Sequence, residues 1–216
     1  MNKKATLLDI YKLLLQNLGP SNWWPGDSPF EIAVGAILTQ NTNWHNVEKA
    51  INNLKQANLL TEEAIFQIDE QTLASHIKPS GFFNIKAKRL KNFVTWLYQE
   101  ANLNLLNLQN YPLETLRPKL LAVSGIGPET ADSILLYALN KPIFVVDVYT
   151  KRMFFRHGLI PEETTYSEVQ ELFMDNLEPN VKMFNEFHAL IVRACKKWCT
   201  KKNPKCEQCP LKNLTA

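Results

Sequence analysis

The chain has 216 residues, of which 45% are apolar, and a formal net charge of +3. This is enough apolar material to bury the core of one large domain or two small ones, so the composition predicts a globular protein. No apolar run approaches the roughly 20 residues needed to span a bilayer, and the first residues carry no signal-type apolar block. We therefore expect a cytoplasmic protein that is neither secreted nor inserted in a membrane.

The predicted elements are helices. Apolar residues recur at helical spacing from the start of the chain, as in Leu7, Ile10, Leu14 and Leu18. The short run 143–146 has the character of a strand, but no partner strand is evident. Glycine is scarce, and prolines separate the periodic stretches. We predict an all-α fold with further helices over residues 29–38, 44–57, 62–67, 70–77, 84–101, 113–122, 128–139, 148–157, 166–177 and 181–198.

Two glycines spaced two residues apart lie between the helices predicted over 113–122 and 128–139. Gly125 and Gly127 permit a tight turn with backbone angles that other residues avoid. Such a turn leaves backbone N–H groups free at the start of the next helix, where the helix dipole attracts anions. The turn therefore predicts a grip on DNA phosphate that reads no sequence, with Thr130 as a further contact. A simple connection between two helices is the alternative.

Positive charge is concentrated in two places. Lys86, Lys88, Arg89 and Lys91 place four charges within six residues. On a helix they spread around much of the circumference, so we expect two of them, Lys86 and Lys88, to face DNA. Residues 193–216 hold one arginine and six lysines against one acid, a net charge of +6. Such a tail suits a polyanion such as the DNA backbone, although a solvated chain end has the same composition.

All four cysteines lie within fifteen residues of one another, as Cys195, Cys199, Cys206 and Cys209. In a chain without an export signal, such clustering favours a metal or iron-sulfur site over disulfides. Cys195 and Cys199 are one helical turn apart, so their thiols share a face of the helix.

The hairpin and its surroundings resemble a known family. Residues 121–131, followed by Asp147 between two valines, are similar to the helix-hairpin-helix and Gly-Pro-Asp-type signature of the endonuclease III superfamily of DNA glycosylases. The segments 36–42, 81–90 and 186–192 match the same superfamily in the same order, so that the resemblance covers nearly the whole chain. It implies a monomeric base-excision-repair enzyme, associated with the nucleoid, that flips a damaged base out of double-stranded DNA.

The resemblance also implies two helical lobes with a central cleft. The central lobe would comprise residues 28–139 and would contain the helix-hairpin-helix over 113–139. Both chain ends, 1–27 and 140–216, would form the second lobe, which holds the cysteine-rich loop over 195–209.

Asp147 and Glu129 carry the predicted chemistry. Hydrolysis of an N-glycosidic bond builds positive charge on the sugar, and a fixed carboxylate at Asp147, lying at the cleft, would stabilise that charge and orient or deprotonate the attacking water. Capping of a helix that starts near Val148 is a second role open to Asp147. Superfamily members that also cut the backbone carry a lysine where this chain has Glu129. The resemblance therefore implies a monofunctional enzyme, although Glu129 is also simply a favourable acid for the first turn of a helix.

Two other functions stay open at this point. One is a bifunctional glycosylase and abasic-site lyase that acts on oxidised pyrimidines, which Glu129 disfavours. The other is a non-catalytic module that binds damaged DNA and uses the hairpin only to grip phosphate.

Aromatic residues near the front of the chain resemble a base pocket. Trp23, Trp24 and Pro25 precede the first superfamily segment, and Trp44 follows it. Indole rings can sandwich a flipped base, and a cationic alkylated base adds a cation-π attraction of roughly 0.5–2 kcal/mol. With Glu129, this pattern resembles the 3-methyladenine, or methylpurine, glycosylases of the superfamily and implies alkylated purines as substrates. Ordinary core positions are the alternative for these tryptophans.

Gln40 and Asn41 belong to the first superfamily segment. They match the family loop that fills the gap left by the extruded base, because an amide can pair with the orphaned partner base. Polar residues are also common at helix ends, so the alternative is that Gln40 and Asn41 have no function in DNA binding.

The cysteine spacing resembles the C-x6-C-x2-C-x5-C pattern that holds a [4Fe-4S] cluster in endonuclease III relatives. Cys199, Cys206 and Cys209 keep the first three positions, and Thr215 stands in the fourth. Cys195 then becomes the candidate fourth ligand. Zinc and the absence of any metal remain alternatives to the iron-sulfur cluster.

Overall fold

The computed structural model describes residues 3–21 and 23–214. Within these residues the secondary structure is helical and contains no strand, so the predicted all-α fold is confirmed. Short 3₁₀ turns cover Lys78–Ser80, Leu105–Leu108 and Cys206–Gln208. The α-helices are α1 (Lys3–Leu18), α2 (Pro29–Leu38), α3 (Trp44–Gln56), α4 (Glu62–Gln67), α5 (Glu70–His76), α6 (Phe83–Ala101), α7 (Leu113–Leu121), α8 (Pro128–Ser133), α9 (Val148–Arg156), α10 (Tyr166–Met174) and α11 (Val181–Lys197).

The chain divides into two compact units. Pro25–Lys141 forms the first unit, and the second unit combines the segment up to Trp24 with the segment from Pro142 onward. No helix in the described part of the chain has both the length and the apolar character that a membrane crossing requires.

The first unit is built around α2. Most side chains of α2 are buried, and it packs against α3, α6, α8 and the π-helical segment Ile134–Ala138 that continues α8. The hydroxyl of Ser28 accepts a hydrogen bond from the N–H of Glu31 at 3.1 Å, and Pro29 occupies the first helical position. A helix that is apolar on nearly all sides is stable only when it is buried. Burial fixes the position of α2, and with it the start of the loop that follows Leu38.

The second unit has an aromatic core. The ring of Phe144 stacks on that of Phe173 with centroids 3.7 Å apart, and it meets Phe184 and Phe187 edge to face at 5.7 and 5.9 Å. Since these partners lie on α10 and α11, they hold the segment before α9 against both helices.

That segment, residues 143–146, is the run with strand character, and it is neither helix nor strand. Side chains of α10 take the place of a strand ladder. The amide of Gln170 donates to the carbonyl of Phe144 at 2.6 Å, and the N–H of Val146 donates to the hydroxyl of Tyr166 at 3.4 Å. Because its polar groups are satisfied in this way, the segment can run buried up to Asp147.

Candidate functional site

The helix-hairpin-helix lies in the first unit, where α7 and α8 flank the turn. Gly125 has a φ of +93°, which side chains rarely allow, and Gly127 is the extended N-cap of α8. Arg117 on α7 binds Asp132 on α8 through hydrogen bonds of 2.7 and 3.0 Å, and the Asp132 carboxylate is fully buried. Since Gly127 has no side chain to cap α8, the first N–H groups of that helix can bind an anion.

Gln40 and Arg89 support this turn. The amide nitrogen of Gln40 donates to the carbonyl of Gly125 at 3.1 Å and to the hydroxyl of Thr130 at 2.8 Å. The guanidinium of Arg89 donates to the amide oxygen of Gln40. A Cβ on Gly125 would overlap Cγ of Arg89, so the arginine stem packs directly on the glycine. The turn is therefore held by the loop after α2 and by α6 together.

The structure corrects two of the predicted DNA contacts. Lys86 is 1% exposed, and its ammonium donates to the carbonyls of Leu38 and Ser80 at 2.8 and 2.7 Å. It satisfies the C-terminal end of α2, so the prediction that Lys86 faces DNA is wrong. Burial, and then the charge of Arg89, lower the pKa of Lys86 to about 8. The hydroxyl of Thr130 is likewise buried against Gln40 and is unavailable to phosphate.

The other predicted contacts of the first unit lie at the surface. Lys88 is exposed on α6, and Asn41 is exposed with a left-handed backbone, φ +54°. The amide of Gln40 is only partly buried, but it is bonded to the hairpin as described above. The structure thus leaves Lys88 and Asn41 accessible, while their contact with DNA stays a prediction.

An exposed aromatic residue adds to this surface and was not singled out from the sequence. Phe82 precedes α6 with a left-handed backbone, φ +46°, and is 65% exposed. Ile85, one turn further on, is 52% exposed. Solvent-exposed apolar residues next to basic ones are a signal of DNA binding, because apolar side chains can insert between bases.

Asp147 is the N-cap of α9 in the second unit, and only 9% of its side chain is exposed. Its Oδ1 accepts from the N–H of Thr150 at 2.7 Å and from the Thr150 hydroxyl at 2.9 Å. Burial raises the pKa of Asp147, but His188 and the hydrogen bonds from Thr150 outweigh burial, and the net effect lowers the pKa. The carboxylate is therefore ionised and rigid, which allows capping and catalysis at once.

His188 on α11 is a candidate site residue to which sequence analysis assigned no role. Its Nε2 lies 3.4 Å from Oδ2 of Asp147, and 6% of its side chain is exposed. The ring meets Phe144 edge to face with centroids 6.5 Å apart. The sequence does indicate that His188 is buried, because it falls in helical register with Phe184 and Cys195. Its partner, 41 positions earlier in the chain, carries no such signal.

Glu129 lies in the first turn of α8 and is exposed. Its backbone carbonyl accepts from the hydroxyl of Ser133 at 2.7 Å. The carboxylate sits where the helix dipole favours an acid. Glu129 therefore provides a carboxylate at this position and no amine that could attack a sugar.

The four predicted base-pocket residues occur in both units. Trp23 and Trp24 are half-buried in the second unit, with ring centroids 5.1 Å apart in an edge-to-face arrangement. Pro25 is exposed, and the half-buried Trp44 begins α3 of the first unit. A common pocket for these side chains stays a prediction.

Cys195 lies in the last turn of α11, and the other three cysteines follow that helix in the second unit. Cys195 is fully buried, and its thiol donates to the carbonyl of Tyr149 at 3.4 Å. The neighbouring thiol of Cys195, followed by the guanidinium of Arg156 at 3.3 Å, lowers the pKa of Cys199. The lowered pKa favours the thiolate of Cys199, the form that binds metal.

Two further thiols complete the cysteine group. Cys206 is exposed. Burial raises the pKa of Cys209, and the charges of Cys199 and Cys206 raise it further. Among the described residues no three Cys, His, Asp or Glu side chains are close enough to hold a single metal ion. A four-iron cluster is larger than one ion, and its ligands stand further apart. A set of four cysteines beside Arg152 and Arg156 therefore suits an anionic iron-sulfur cluster.

Comparison with known proteins finds two family matches, one over most of the chain and one over its cysteine-rich end. Residues 34–179 match the HhH-GPD superfamily of base excision DNA repair proteins, and residues 199–214 match the iron-sulfur binding domain of endonuclease III. A Methanocaldococcus jannaschii protein, named only provisionally as a DNA repair glycosylase, is 50% identical over 214 residues, which cover 99% of this chain and 97% of that protein.

Two solved structures have the same fold. The crystal structure of the H. pylori 3-methyladenine DNA glycosylase bound to 1,N6-ethenoadenine is 32% identical, with a TM-score of 0.77 over 91% of this chain and 98% of that one. An endonuclease III trapped as a covalent intermediate with DNA has a TM-score of 0.84 at 19% identity, over 99% of this chain and 96% of that one. The chain therefore belongs to the HhH-GPD superfamily of base excision DNA repair glycosylases and carries the [4Fe-4S] domain of endonuclease III.

Proposed function

We propose that this chain is a monofunctional DNA glycosylase that flips an alkylated purine out of double-stranded DNA and hydrolyses its N-glycosidic bond. The observation that carries the proposal is the buried, ionised and doubly hydrogen-bonded carboxylate of Asp147. As the bond breaks, positive charge grows on the sugar, and a carboxylate held in a low-dielectric site stabilises that charge without having to reorganise.

Water is the nucleophile in this scheme. Its oxygen bonds to the anomeric carbon, its proton passes to the Asp147 carboxylate, and the base leaves with the electron pair of the broken bond. A purine alkylated at N3 or N7 is cationic in the nucleotide and becomes neutral when it takes that pair, so such a base needs no acid to protonate it. One carboxylate is then sufficient for the chemistry.

Glu129 supports the monofunctional assignment. Abasic-site lyases of the family form an imine between a lysine amine and the sugar, and a carboxylate cannot do so. Glu129 occupies that place at the start of α8. We therefore infer that the product is an intact abasic site, without a cut strand.

Alkylated purines are the proposed substrates. The H. pylori protein, 32% identical to this chain, is named as a 3-methyladenine DNA glycosylase and was solved with 1,N6-ethenoadenine. The half-buried indoles of Trp24 and Trp44 have the chemistry to stack on a purine, and a cationic ring adds roughly 0.5–2 kcal/mol of cation-π attraction. Trp23 and Pro25 are proposed to border the same pocket.

DNA binding is assigned to the hairpin and to α6. The first N–H groups of α8, with Gly125 and Gly127 shaping the turn, would hold a phosphate. Lys88 adds a backbone contact, and the exposed Phe82 offers an aromatic side chain that can enter the base stack. Asn41 would approach the gap that the flipped base leaves, whereas the Gln40 amide, bonded to the hairpin and to Arg89, would support the loop beside it.

Cys199, Cys206 and Cys209 would hold three corners of the [4Fe-4S] cluster, which supplies a rigid cross-link for the basic loop. For the fourth ligand we propose Cys195, because Thr215, which lies outside the described residues, stands in the family's fourth position. Its thiol is buried beside the Cys199 sulfur, and cluster binding deprotonates a coordinating thiol outright.

Base release tests the activity. Purified protein is incubated with methylated duplex DNA, and the released bases are separated by chromatography, with uracil and oxidised-pyrimidine duplexes in parallel. The matched control is Asp147→Asn, because Asn caps a helix as well as Asp and still accepts from Thr150. We expect methylpurines from the parent and a rate lower by about 100-fold or more in Asp147→Asn. Release only from the uracil or pyrimidine duplexes would overturn the substrate class, and an unchanged rate in Asp147→Asn would overturn the chemistry.

Borohydride trapping on abasic DNA tests the monofunctional assignment. We expect no covalent adduct from the parent, whereas Glu129→Lys places an amine at the family's lysine position and serves as the positive comparison. An adduct with the parent shows a lyase and contradicts the assignment.

Iron content and absorbance near 400 nm test the fourth ligand without reference to activity. We expect Cys195→Ala to lose the same fraction of iron and absorbance as Cys206→Ala, and Cys195→Ser to retain more of both. Full iron and absorbance in Cys195→Ala would remove Cys195 from the ligand set.

A further inference from the structure

Asp147 is held from two sides, and only one of them belongs to its own helix cap. Oδ1 takes both hydrogen bonds from Thr150, at 2.7 and 2.9 Å. Oδ2 faces Nε2 of His188 at 3.4 Å. A cap alone needs only one oxygen, so the second contact requires a separate explanation.

His188 is itself held rigidly. It lies on α11, which packs against α9, and its ring meets Phe144 edge to face with centroids 6.5 Å apart. Phe184, one turn earlier on α11, packs on the same face of the helix and meets Phe144 at 5.7 Å. With 6% of its side chain exposed, the imidazole is confined to a narrow range of orientations, and these direct Nε2 at the carboxylate.

From this geometry we propose that His188 is a positioning residue for the reaction, which holds Oδ2 of Asp147 and fixes the plane of the carboxylate that faces the sugar and the water. The proposal rests on the catalytic role proposed for Asp147. A separation of 3.4 Å is long for an N–H···O bond, as such pairs commonly are before substrate binds and the site tightens.

A histidine suits this task better than a lysine or an arginine. A permanent cation beside Asp147 would cancel the negative charge that must stabilise the sugar cation. Nε2 of His188 instead faces Oδ2 from a ring that Phe144 meets edge to face, so one ring nitrogen can donate to the carboxylate. This contact restrains Oδ2 when the substrate displaces water from the site.

The test compares three variants of His188 and its neighbour in single-turnover base release and in DNA affinity. His188→Leu removes the donor, His188→Gln returns an N–H close to the position of Nε2, and Phe184→Leu disturbs the same packing without a contact to Asp147. We expect His188→Leu to slow base release about 10- to 100-fold, with DNA affinity changed less than about twofold. His188→Gln should regain most of that rate, and Phe184→Leu should stay within about threefold of the parent.

Addition of His188→Leu to Asp147→Asn separates a positioning role from damage to the fold. If His188 acts through the charge of Asp147, the double variant is no slower than Asp147→Asn alone. A further loss in the double variant, or equal losses in Phe184→Leu and His188→Leu, shows a packing role and overturns the proposal.

Failure of this inference is distinguishable from failure of the proposed function. A parent-like rate in His188→Leu, together with an inactive Asp147→Asn, rejects the role of His188 alone. A parent-like rate in Asp147→Asn rejects the proposed chemistry itself, and with it any role for His188 in it.

Discussion

The substitution Gly125→Ala tests how the hairpin turn is held. At a φ of +93°, a Cβ costs about 1–2 kcal/mol of backbone strain. The new Cβ would also overlap Cγ of Arg89 and lie 2.9 Å from its Cδ, which is too close for a shift of the arginine tip alone to relieve. The Arg89 stem must therefore rotate, and its hydrogen bond to Gln40 is lost. Loss of a hydrogen bond from a charged donor adds about 1.5–3 kcal/mol, so we expect a total of about 2.5–5 kcal/mol.

Substitutions at two other glycines distinguish backbone strain from the steric overlap with Arg89. Gly81 has a φ of +69°, and a Cβ added there would have no atom within 4 Å, so Gly81→Ala should cost about 1 kcal/mol for backbone strain alone. Gly127 has ordinary backbone angles and equally open space, so Gly127→Ala should stay within about 0.5 kcal/mol of the parent. Urea denaturation followed by far-ultraviolet circular dichroism measures all three variants. If Gly125→Ala costs no more than Gly81→Ala, the contact with Arg89 carries no strain and the reasoning is wrong.

The Arg89→Ala background provides an independent check of the same reasoning. With the arginine stem removed, a Cβ on Gly125 meets no Arg89 atom, and only the backbone strain remains. We expect Gly125→Ala to cost about 1–2 kcal/mol in that background, against about 2.5–5 kcal/mol in the parent. Equal costs in both backgrounds would assign the whole effect to the backbone.

Three further substitutions test other parts of the first unit. Arg117→Met leaves the fully buried carboxylate of Asp132 without its guanidinium and should cost about 3–5 kcal/mol in urea denaturation, part of which Asp132→Asn should restore in the double variant. Because the pKa of Lys86 is about 8 when folded, against an ordinary value of 10.5, the unfolded chain binds more protons between those values. The stability of the parent relative to Lys86→Met should therefore rise from pH 8 to pH 10.5 and be flat below pH 8; a flat difference throughout would contradict the lowered pKa. Lys88→Ala should lower the salt dependence of log K for duplex DNA by about 0.9, and an unchanged slope would show that Lys88 contacts no phosphate.

The helices could be predicted from the sequence because apolar spacing, capping residues and prolines agree with one another. The helix predicted over 181–198 is Val181–Lys197, and the side chain of Asn180 caps its start, as the pattern of a polar residue before an apolar period suggests. The run 143–146 is ambiguous in the sequence for a physical reason. Its apolar composition reports burial, whereas its conformation depends on hydrogen bonds from Gln170 and Tyr166 on a helix that follows later in the chain.

Lys86 shows where charge alone misleads. Its charge indicated a DNA contact, yet it lies in register with Leu90, Phe93 and Leu97 on the buried face of α6. Helical periodicity could therefore have placed it inside. Lys88, two positions further on, projects from a different face and is exposed. The sequence does not show why burial of the Lys86 ammonium is tolerated. In the fold, the carbonyls of Leu38 and Ser80 accept hydrogen bonds from it.

The candidate site was accessible to sequence reasoning only where its residues are close together in the chain. Asp147 next to a helix start, and the glycines of the hairpin, are local patterns with a local meaning. The contact between His188 and Asp147 joins two helices, and the bond from Gln40 to Thr130 spans 90 residues. Such pairs depend on tertiary packing, and a single sequence contains no direct record of it.

Helix α9 connects the two chemical features of the second unit. Asp147 caps its first turn, while side chains from its later turns bind the loop that begins the iron-sulfur domain. Arg152 donates to the carbonyl of Cys199 at 2.8 Å, and Arg156 donates to the Cys199 sulfur at 3.3 Å and to the carbonyl of Thr200 at 2.8 Å. A nine-residue helix is about 14 Å long, so α9 is a short, direct link between the loop at one end and the carboxylate at the other. We therefore expect the cluster to act as a structural support without a redox step, because the loop that it would order anchors the helix that carries Asp147.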